Sequence, residues 1–135
     1  MVRGVYVDRA QAERLTLQDS LVRYLVEVSV LKSPSTQTAE KRRANTLIKA
    51  LGSYSLAAIT PQIVADYRDR RLNQTNRFGR KMSPNHIRLE LALLSHLFTV
   101  AIKEWGLGIP QNPVALVRRP SPGKGRDRRL SPEEE

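Results

Sequence analysis

Residues 83–106 read SPNHIRLELALLSHLFTVAIKEWG, and this stretch decides the fold. Apolar side chains recur in it every three or four positions, which is the spacing of one buried stripe on an α-helix. Pro84 suits the first helical position, and Gly106 and Gly108 suit a C-terminal stop. The stretch therefore predicts one long amphipathic helix. Its predicted buried residues are Ile87, Leu91, Leu94, Phe98, Ala101, Ile102 and Trp105.

Three segments upstream carry the same periodicity. The first opens at Thr16, where Asp19 completes an approximate capping box, and is expected to end before Ser33-Pro34. The second is expected to start near Ser35 or Thr36 and to stop at Gly52, and the third to begin at Thr60-Pro61. The predicted buried residues are Leu17, Leu21, Tyr24, Leu25, Val28 and Leu31, then Ala44, Leu47, Ile48 and Leu51, then Ile63, Val64, Tyr67 and Leu72.

No alternating stretch is long enough to build a sheet, so the sequence predicts an all-α fold, a compact four-helix bundle. A length of 135 residues suits one domain. We expect residues 1–15 to end a preceding segment, residues 16–112 to form the helical domain, and residues 113–135 to be an extended basic linker. The linker closes on LSPEEE, residues 130–135, which has the cap, proline and acids of a helix start. We interpret it as the first turn of a further domain.

The composition of the chain narrows the range of possible functions. The net charge is +10 and the pI is near 10.7, a balance that attracts polyanions such as DNA. No run of eighteen apolar residues could span a membrane, and the N-terminus lacks the apolar stretch of a secretory signal. Cysteine is absent, which excludes disulfides and Cys-ligated zinc. The expected location is the cytosol of a bacterium or archaeon, or a nucleus, with no membrane partner.

Residues that could carry chemistry are few. His86 and His96 lie in one helix without further ligands nearby, so we expect no metal and interpret both as solvated. Asp66 and Asp69 share a turn with three arginines, which indicates local pairing along a helix. Nucleotide-binding and nucleophile motifs are absent from the sequence. We therefore expect no catalytic residue, no cofactor and no small-molecule substrate.

Candidate DNA contacts fall in two helices and one loop. Asn and Arg make bidentate contacts to adenine and guanine edges, and a helix N-terminus binds phosphate through free backbone N–H groups. An ordinary solvated surface is the alternative for any one of these residues. The candidates are Thr38, Lys41, Arg42 and Asn45 in the second helix, Arg77, Arg80 and Lys81 in the loop of residues 73–82, and Ser83, Asn85, His86 and Arg88 at the start of the fourth helix.

The ordered set of motifs resembles a known family. The motifs are TLQDSL (16–21) with Tyr24-Leu25, Ile59-Thr60-Pro61 with Tyr67-Arg68, SPNHIRLELALLSHLF (83–98), AIKEWG (101–106), Asn112-Pro113 and RRLSPEE (128–134). From residue 16 to residue 135 the chain resembles the SAM-like core-binding domain of the tyrosine recombinases, the phage-type integrases. Each motif is weak alone, and their order carries the resemblance.

The resemblance implies a SAM-like four-helix bundle that grips one face of a double-stranded crossover half-site during DNA integration or recombination. The second and fourth helices would approach the major groove, with Asn85 and Arg88 as base readers. The basic tail, with Lys124 and Arg126 as phosphate anchors, would match an interdomain linker. The family's catalytic residues lie in a separate C-terminal domain, so none is assigned here. The resemblance further implies a bacterial cytoplasmic protein, monomeric as an isolated module and tetrameric on DNA as a whole enzyme.

Two other functions stay open on the sequence. A helical protein–protein interaction module could use the positive charge to recruit an acidic partner, and an exposed apolar groove would favour it. RNA binding is disfavoured because aromatic residues make up only 5% of the chain and most lie on predicted core faces.

Overall fold

The computed structural model describes residues 10–120, and within this range the fold is all-α, as predicted. Residues 10–14 are helical and lead into four longer helices. The two backbone bridges, Thr16 with Ser55 and Thr75 with Lys81, are isolated, and residues 10–120 form no strand. The helices are α1 (Leu17–Glu27), α2 (Pro34–Leu51), α3 (Pro61–Asn73) and α4 (Pro84–Lys103), with short 3₁₀ turns at Ser29–Leu31, Leu56–Ala58 and Pro113–Leu116.

Side-chain caps begin three of the four helices. Thr16 Oγ1 accepts a hydrogen bond from the Asp19 N–H at 3.1 Å, and Thr60 Oγ1 accepts from the Ile63 N–H at 3.2 Å. Such caps satisfy N–H groups that the first helical turn leaves free. The α2 helix begins at Pro34 after the cap residue Ser33, one or two residues earlier than predicted.

The end of α1 differs from the prediction. The helix stops at Glu27, and the chain tightens into the 3₁₀ turn Ser29–Leu31 rather than continuing to Ser33. A 3₁₀ turn has three residues per turn instead of 3.6, so the buried stripe of α1 does not extend through it. Leu31, predicted to be buried, is 83% exposed, and Ser29 is buried in its neighbourhood instead.

The core lies around α4, which packs against the other three helices. The apolar stripe of α4 is buried or half-buried along its whole length, as predicted. Beyond Gly106, whose φ of +67° takes the chain out of the helix, the 3₁₀ turn Pro113–Leu116 packs back against α3 and α4. The largest fully buried side chains are Tyr24, Tyr67 and Phe98, followed by nine leucine and isoleucine residues: Leu17, Leu21, Leu47, Leu51, Leu56, Ile87, Leu91, Leu94 and Leu97.

Residues 1–9 and 121–135 lie outside the described range. The expected preceding segment therefore falls mostly there, as do the predicted phosphate anchors Lys124 and Arg126 and the predicted helix start at residues 130–135. None of the described helices combines the length and the apolarity that crossing a membrane requires.

Candidate nucleic-acid interface

One face of α2 is basic. Thr38, Lys41, Arg42 and Asn45 follow helical spacing and are all exposed, opposite the buried Ala44 and Leu47. The only acid in α2 is Glu40, which is buried and bonded to Lys32 at 2.8 Å. Its charge is therefore neutralised beneath the surface, and the solvent-facing side of α2 carries positive charge alone.

The segment between α3 and α4 is an ordered hairpin rather than an irregular loop. We call residues 74–82 the basic hairpin. The Met82 N–H donates to the Gln74 carbonyl oxygen at 3.0 Å, and the Asn76 N–H donates to the Arg80 carbonyl oxygen at 2.6 Å. The turn closes through Gly79, whose φ of +80° favours glycine. All three predicted contact residues of this segment, Arg77, Arg80 and Lys81, are exposed.

The first turn of α4 follows the basic hairpin directly. Ser83 makes no capping hydrogen bond with its side chain, unlike the cap residues of α1, α2 and α3. Arg88 donates from Nε and Nη2 to Asn85 Oδ1, at 3.0 and 2.8 Å. The two predicted base readers are thus half-buried and paired with each other, so the amide oxygen of Asn85 is occupied in the free protein.

The predicted residues of α2 and α4 meet at one place. Arg42, Arg43 and Thr46 of α2 and His86 of α4 line a surface cleft of about 220 Å³, which we call the His86 cleft. This convergence joins the α2 face to the start of α4, although more than forty residues separate them along the chain. Of the three candidate segments in the described range, α2 and the start of α4 therefore line one surface, and the basic hairpin adjoins it because it leads directly into α4.

The charge on this surface is of one sign. Residues 74–89 contain Arg77, Arg80, Lys81 and Arg88 and no acid. A continuous positive surface with no interleaved acid is the electrostatic footprint of phosphate binding. The exposed acids of the described residues lie on other elements: Glu13, Asp19, Glu27, Asp66, Asp69 and Glu104.

A buried carboxylate holds the start of α4 in place. Glu90 is fully buried; it accepts hydrogen bonds from Tyr67 at 2.6 Å and from Arg71 Nε at 2.9 Å, with a second short bond from Arg71 Nη2. His86 Nε2 lies 3.4 Å from the same carboxylate. The hydrogen bond to Glu90 raises the pKa of Arg71, and burial, reinforced by Glu90, raises the pKa of Tyr67. Through His86, which lines the His86 cleft, this cluster ties one wall of the cleft to α3.

Sequence reasoning missed this cluster. Arg71 was expected to pair with the neighbouring acids of α3, yet it pairs with Glu90 of α4, whereas Arg68 does bind Asp69 locally at 2.9 Å. The sequence does contain a signal for this cluster. Glu90 lies three residues after Ile87 and four before Leu94, so it falls on the apolar stripe of α4. A charged residue on a buried stripe requires a buried partner.

A second polar network links α4 to α1. Tyr24 O–H is 2.7 Å from His96 Nδ1 and also accepts a hydrogen bond from Lys32 at 3.0 Å, while Lys32 binds Glu40. Burial raises the pKa of Tyr24; burial lowers that of Lys32, but its bonds to Glu40 and Tyr24 more than compensate and leave it raised. His96 is exposed, as predicted, but it is also a structural link from α4 to α1.

The start of the basic tail is fixed on α3. Arg68 Nη1 donates to the Arg118 carbonyl oxygen at 2.8 Å, and Arg118 and Arg119 line a groove with Leu72. The chain therefore leaves the bundle beside α3, with two arginines exposed at the point of departure.

Together these observations define an all-α bundle with one positively charged face. No family model matches the chain. A solution NMR structure of a protein fragment from Clostridium leptum shares the fold with a TM-score of 0.63; the match covers 82% of this chain and 94% of that one at 20% identity.

A more similar sequence belongs to the shufflon-specific DNA recombinase of Escherichia coli. The two are 43% identical over 124 aligned residues, and the match covers 90% of this chain. The chain spans about a third of the length of that recombinase (32%).

Proposed function

We propose that this chain is the DNA-binding module of a site-specific recombinase of the tyrosine-recombinase type, and that it grips a double-stranded crossover half-site. The convergence of α2 and the first turn of α4 at the His86 cleft carries the proposal, because it brings the basic face of α2 next to the acid-free stretch of residues 74–89, which contains the basic hairpin and the start of α4. The similarity to a DNA recombinase over nine-tenths of the chain supports the same role.

In this proposal the positive face binds phosphates and the start of α4 enters the major groove. An α-helix fits that groove, and Asn85 and Arg88 would read base edges there. Because Arg88 is bonded to Asn85 in the free protein, the two side chains would reach the bases as one pre-ordered unit. Four cations would bind phosphates of the DNA backbone and so set the register of the protein on the duplex: Lys41, Arg42, Arg80 and Lys81.

Strand cleavage and rejoining are not assigned to this module. The chain corresponds to a third of the similar recombinase, and we propose that a separate catalytic domain performs the chemistry while this one positions the duplex. The proposal places the protein with bacterial DNA in the cytoplasm. The isolated module would be a monomer, and the whole recombinase would assemble as a tetramer on DNA.

The test is binding to a labelled mixed-sequence duplex, followed by fluorescence anisotropy at several salt concentrations. We expect a dissociation constant of roughly 10⁻⁴–10⁻⁶ M that rises steeply with salt, as phosphate-driven binding does. The double variant Lys41→Ala/Arg42→Ala should bind more weakly and lower the slope of log affinity against log salt by about 2, or about 1 for each lost phosphate contact.

The matched control is Arg14→Ala/Lys103→Ala, which removes the same charge from exposed positions outside the proposed face. It should leave the salt slope nearly unchanged. Equal losses in the two double variants would show that net charge alone drives binding and would reject a defined face. No binding at low salt would reject the DNA-binding role.

One observation favours the protein-interaction alternative. Val22, Val26 and Val30 are each more than half exposed on α1 and the turn after it, and Val26 borders a groove that reaches Lys41. An apolar groove beside basic residues suits an acidic helix with an apolar stripe. If the chain showed no salt-dependent binding to DNA, an acidic, partly apolar helix would become the favoured partner.

A further inference from the structure

Phe78 is the most exposed aromatic side chain in the described part of the protein. It is 74% exposed, whereas Tyr24, Tyr67 and Phe98 are fully buried. A single exposed apolar residue is ordinary on a protein surface, so exposure alone indicates nothing. The position of Phe78 is more informative, because it lies at the tip of the basic hairpin between Arg77 and Arg80.

The tip is built to hold Phe78 outwards. Asn76 Oδ1 accepts hydrogen bonds from the N–H groups of Phe78 and Arg80, at 2.8 and 3.1 Å. The Gly79 N–H donates to the Asn76 carbonyl oxygen at 3.0 Å, which closes the turn. The Asn76 side chain thus orders the backbone on both sides of the ring. An ordered tip loses less entropy when it binds than an unstructured loop would.

The chemistry around the ring suits a nucleic acid. The Arg77 guanidinium lies 5.0 Å from the centroid of the Phe78 ring, so a positive charge lies directly beside the apolar side chain. Residues 74–82 contain three cations and no acid. An apolar wedge flanked by arginine is the combination that minor-groove proteins insert between base steps.

The hairpin is also long enough to reach the next groove. Five residues lead from Phe78 to Ser83, the cap of α4, and a fully extended chain of this length would span at most about 16 Å. One turn of B-DNA is about 34 Å long, so the centres of neighbouring major and minor grooves are about 17 Å apart along the axis. The backbone span comes close to this spacing and the exposed Phe78 side chain extends beyond the backbone, so with α4 in the major groove the ring can meet the adjacent minor groove.

We propose that Phe78 is a wedge that inserts into a base step of duplex DNA from the minor groove, while Arg77 and Arg80 bind the flanking phosphates. This inference rests on the proposed function and adds a deformation of the DNA to it. Flexible pyrimidine–purine steps, which unstack most easily, are its preferred sites.

The experiment uses duplexes that carry one 2-aminopurine, an adenine analogue whose fluorescence rises when it is unstacked, within a pyrimidine–purine step. The 135-residue chain is titrated at low salt while emission and anisotropy are recorded together. The wild-type chain should raise the emission as it binds. Phe78→Ala should abolish the rise and weaken binding about tenfold, which is the order of the loss of one base–aromatic stack.

Two control variants sharpen the result. Phe78→Leu keeps an apolar wedge and should keep much of the emission rise. Leu116→Ala removes an apolar side chain that is 59% exposed in the turn after α4 and should behave as wild type. Salt-dependent binding without an emission rise, together with equal affinity of wild type and Phe78→Ala, would overturn the wedge and leave the proposed function standing. Absence of any binding by the wild type would remove the proposed function itself.

Discussion

Glu90 is a buried side chain that positions residues of the protein surface without being part of that surface. Its carboxylate is fully buried, with Arg71 and Tyr67 of α3 on one side and His86, one helical turn earlier in α4, on the other. An ionised carboxylate without such partners would be very costly in the interior. The same bonds that satisfy Glu90 therefore fix the angle at which the first turns of α4 meet α3, and hence the position of the His86 cleft.

Removing the partner of this carboxylate should be severe. In Arg71→Met, Glu90 would remain buried with two hydrogen bonds fewer and without its arginine counter-charge, so we expect a loss of about 3–5 kcal/mol in the free energy of unfolding. Urea denaturation followed by circular dichroism measures it. Arg70→Met, an exposed neighbour in the same helix, is the control and should change stability by less than about 0.5 kcal/mol.

If Arg71→Met fails to fold, the double variant Arg71→Met/Glu90→Gln decides the matter. The amide keeps an acceptor for Tyr67 and removes the buried charge, so much of the stability should return. A single variant as stable as Arg70→Met would show that Glu90 does not depend on this partner.

Among the elements, the link between α2 and α3 does more than connect them. The Leu17 N–H donates to the Tyr54 carbonyl oxygen at 2.8 Å and the Gln18 N–H to the Gly52 carbonyl oxygen at 3.1 Å. These bonds satisfy first-turn groups of α1, which the helix itself leaves free. The glycine that ends α2 is thus also a fixed point for the start of α1.

Gly52 is required for space rather than for an unusual backbone angle. Its φ is −60°, which any residue adopts, but a Cβ there would lie 2.4 Å from the Ile48 carbonyl oxygen and 3.1 Å from Ile48 Cγ2. We expect Gly52→Ala to lower the free energy of unfolding by about 1–3 kcal/mol through overpacking, despite the better helix propensity of alanine. Thermal unfolding tests this, with exposed Ser53→Ala as the control. A more stable Gly52→Ala would show that the turn relaxes at no cost.

Over the whole molecule, charge is separated by element. Within residues 10–120 the positive charge is concentrated on α2, the basic hairpin and the start of α4, while the exposed acids lie before and on α1, on α3 and beside the end of α4. Such a distribution orients the protein before contact and speeds association with a polyanion at low salt. The few acids that do lie beneath the positive face, Glu40 and Glu90, are buried and paired with Lys32 and Arg71.

The two polar networks should also make the stability of the fold sensitive to alkaline pH. The pKa values of Tyr24, Tyr67 and Lys32 are all raised in the folded state, so each group keeps its proton when the unfolded chain has lost it. Their contribution to stability is complete below about pH 10, the ordinary range of these groups, and is lost as the pH rises further.

We therefore expect the unfolding midpoint to be insensitive to these groups up to about pH 9 and to fall steeply above pH 10. Each tyrosine contributes a slope of up to about 1.4 kcal/mol per pH unit. Thermal melts between pH 8 and pH 11.5 measure the fall, and Tyr67→Phe should make it shallower although it removes the bond to Glu90. Tyr54→Phe, at an exposed ring, should leave the slope unchanged. Identical slopes in wild type and Tyr67→Phe would contradict the role of Tyr67.

The sequence by itself determined the four helices, because their information is local. Apolar spacing, Thr16 and Thr60 at the caps, and the prolines at the first helical positions act over three or four residues. The same local pattern failed only at Leu31, where a 3₁₀ turn replaces the last turn of the predicted helix and the helical period no longer applies.

Only the tertiary structure decided which side chains meet. Arg71 and Glu90 are 19 residues apart, Tyr24 and His96 are 72 apart, and His86 faces Arg42 from another helix. Helical periodicity assigns a residue to a face but leaves the angle and rotation between helices open. Those are set when all the buried side chains pack at once and every buried polar group finds a partner. The basic segments could be identified from the sequence, but only the packing of the helices brings the basic face of α2 beside the start of α4.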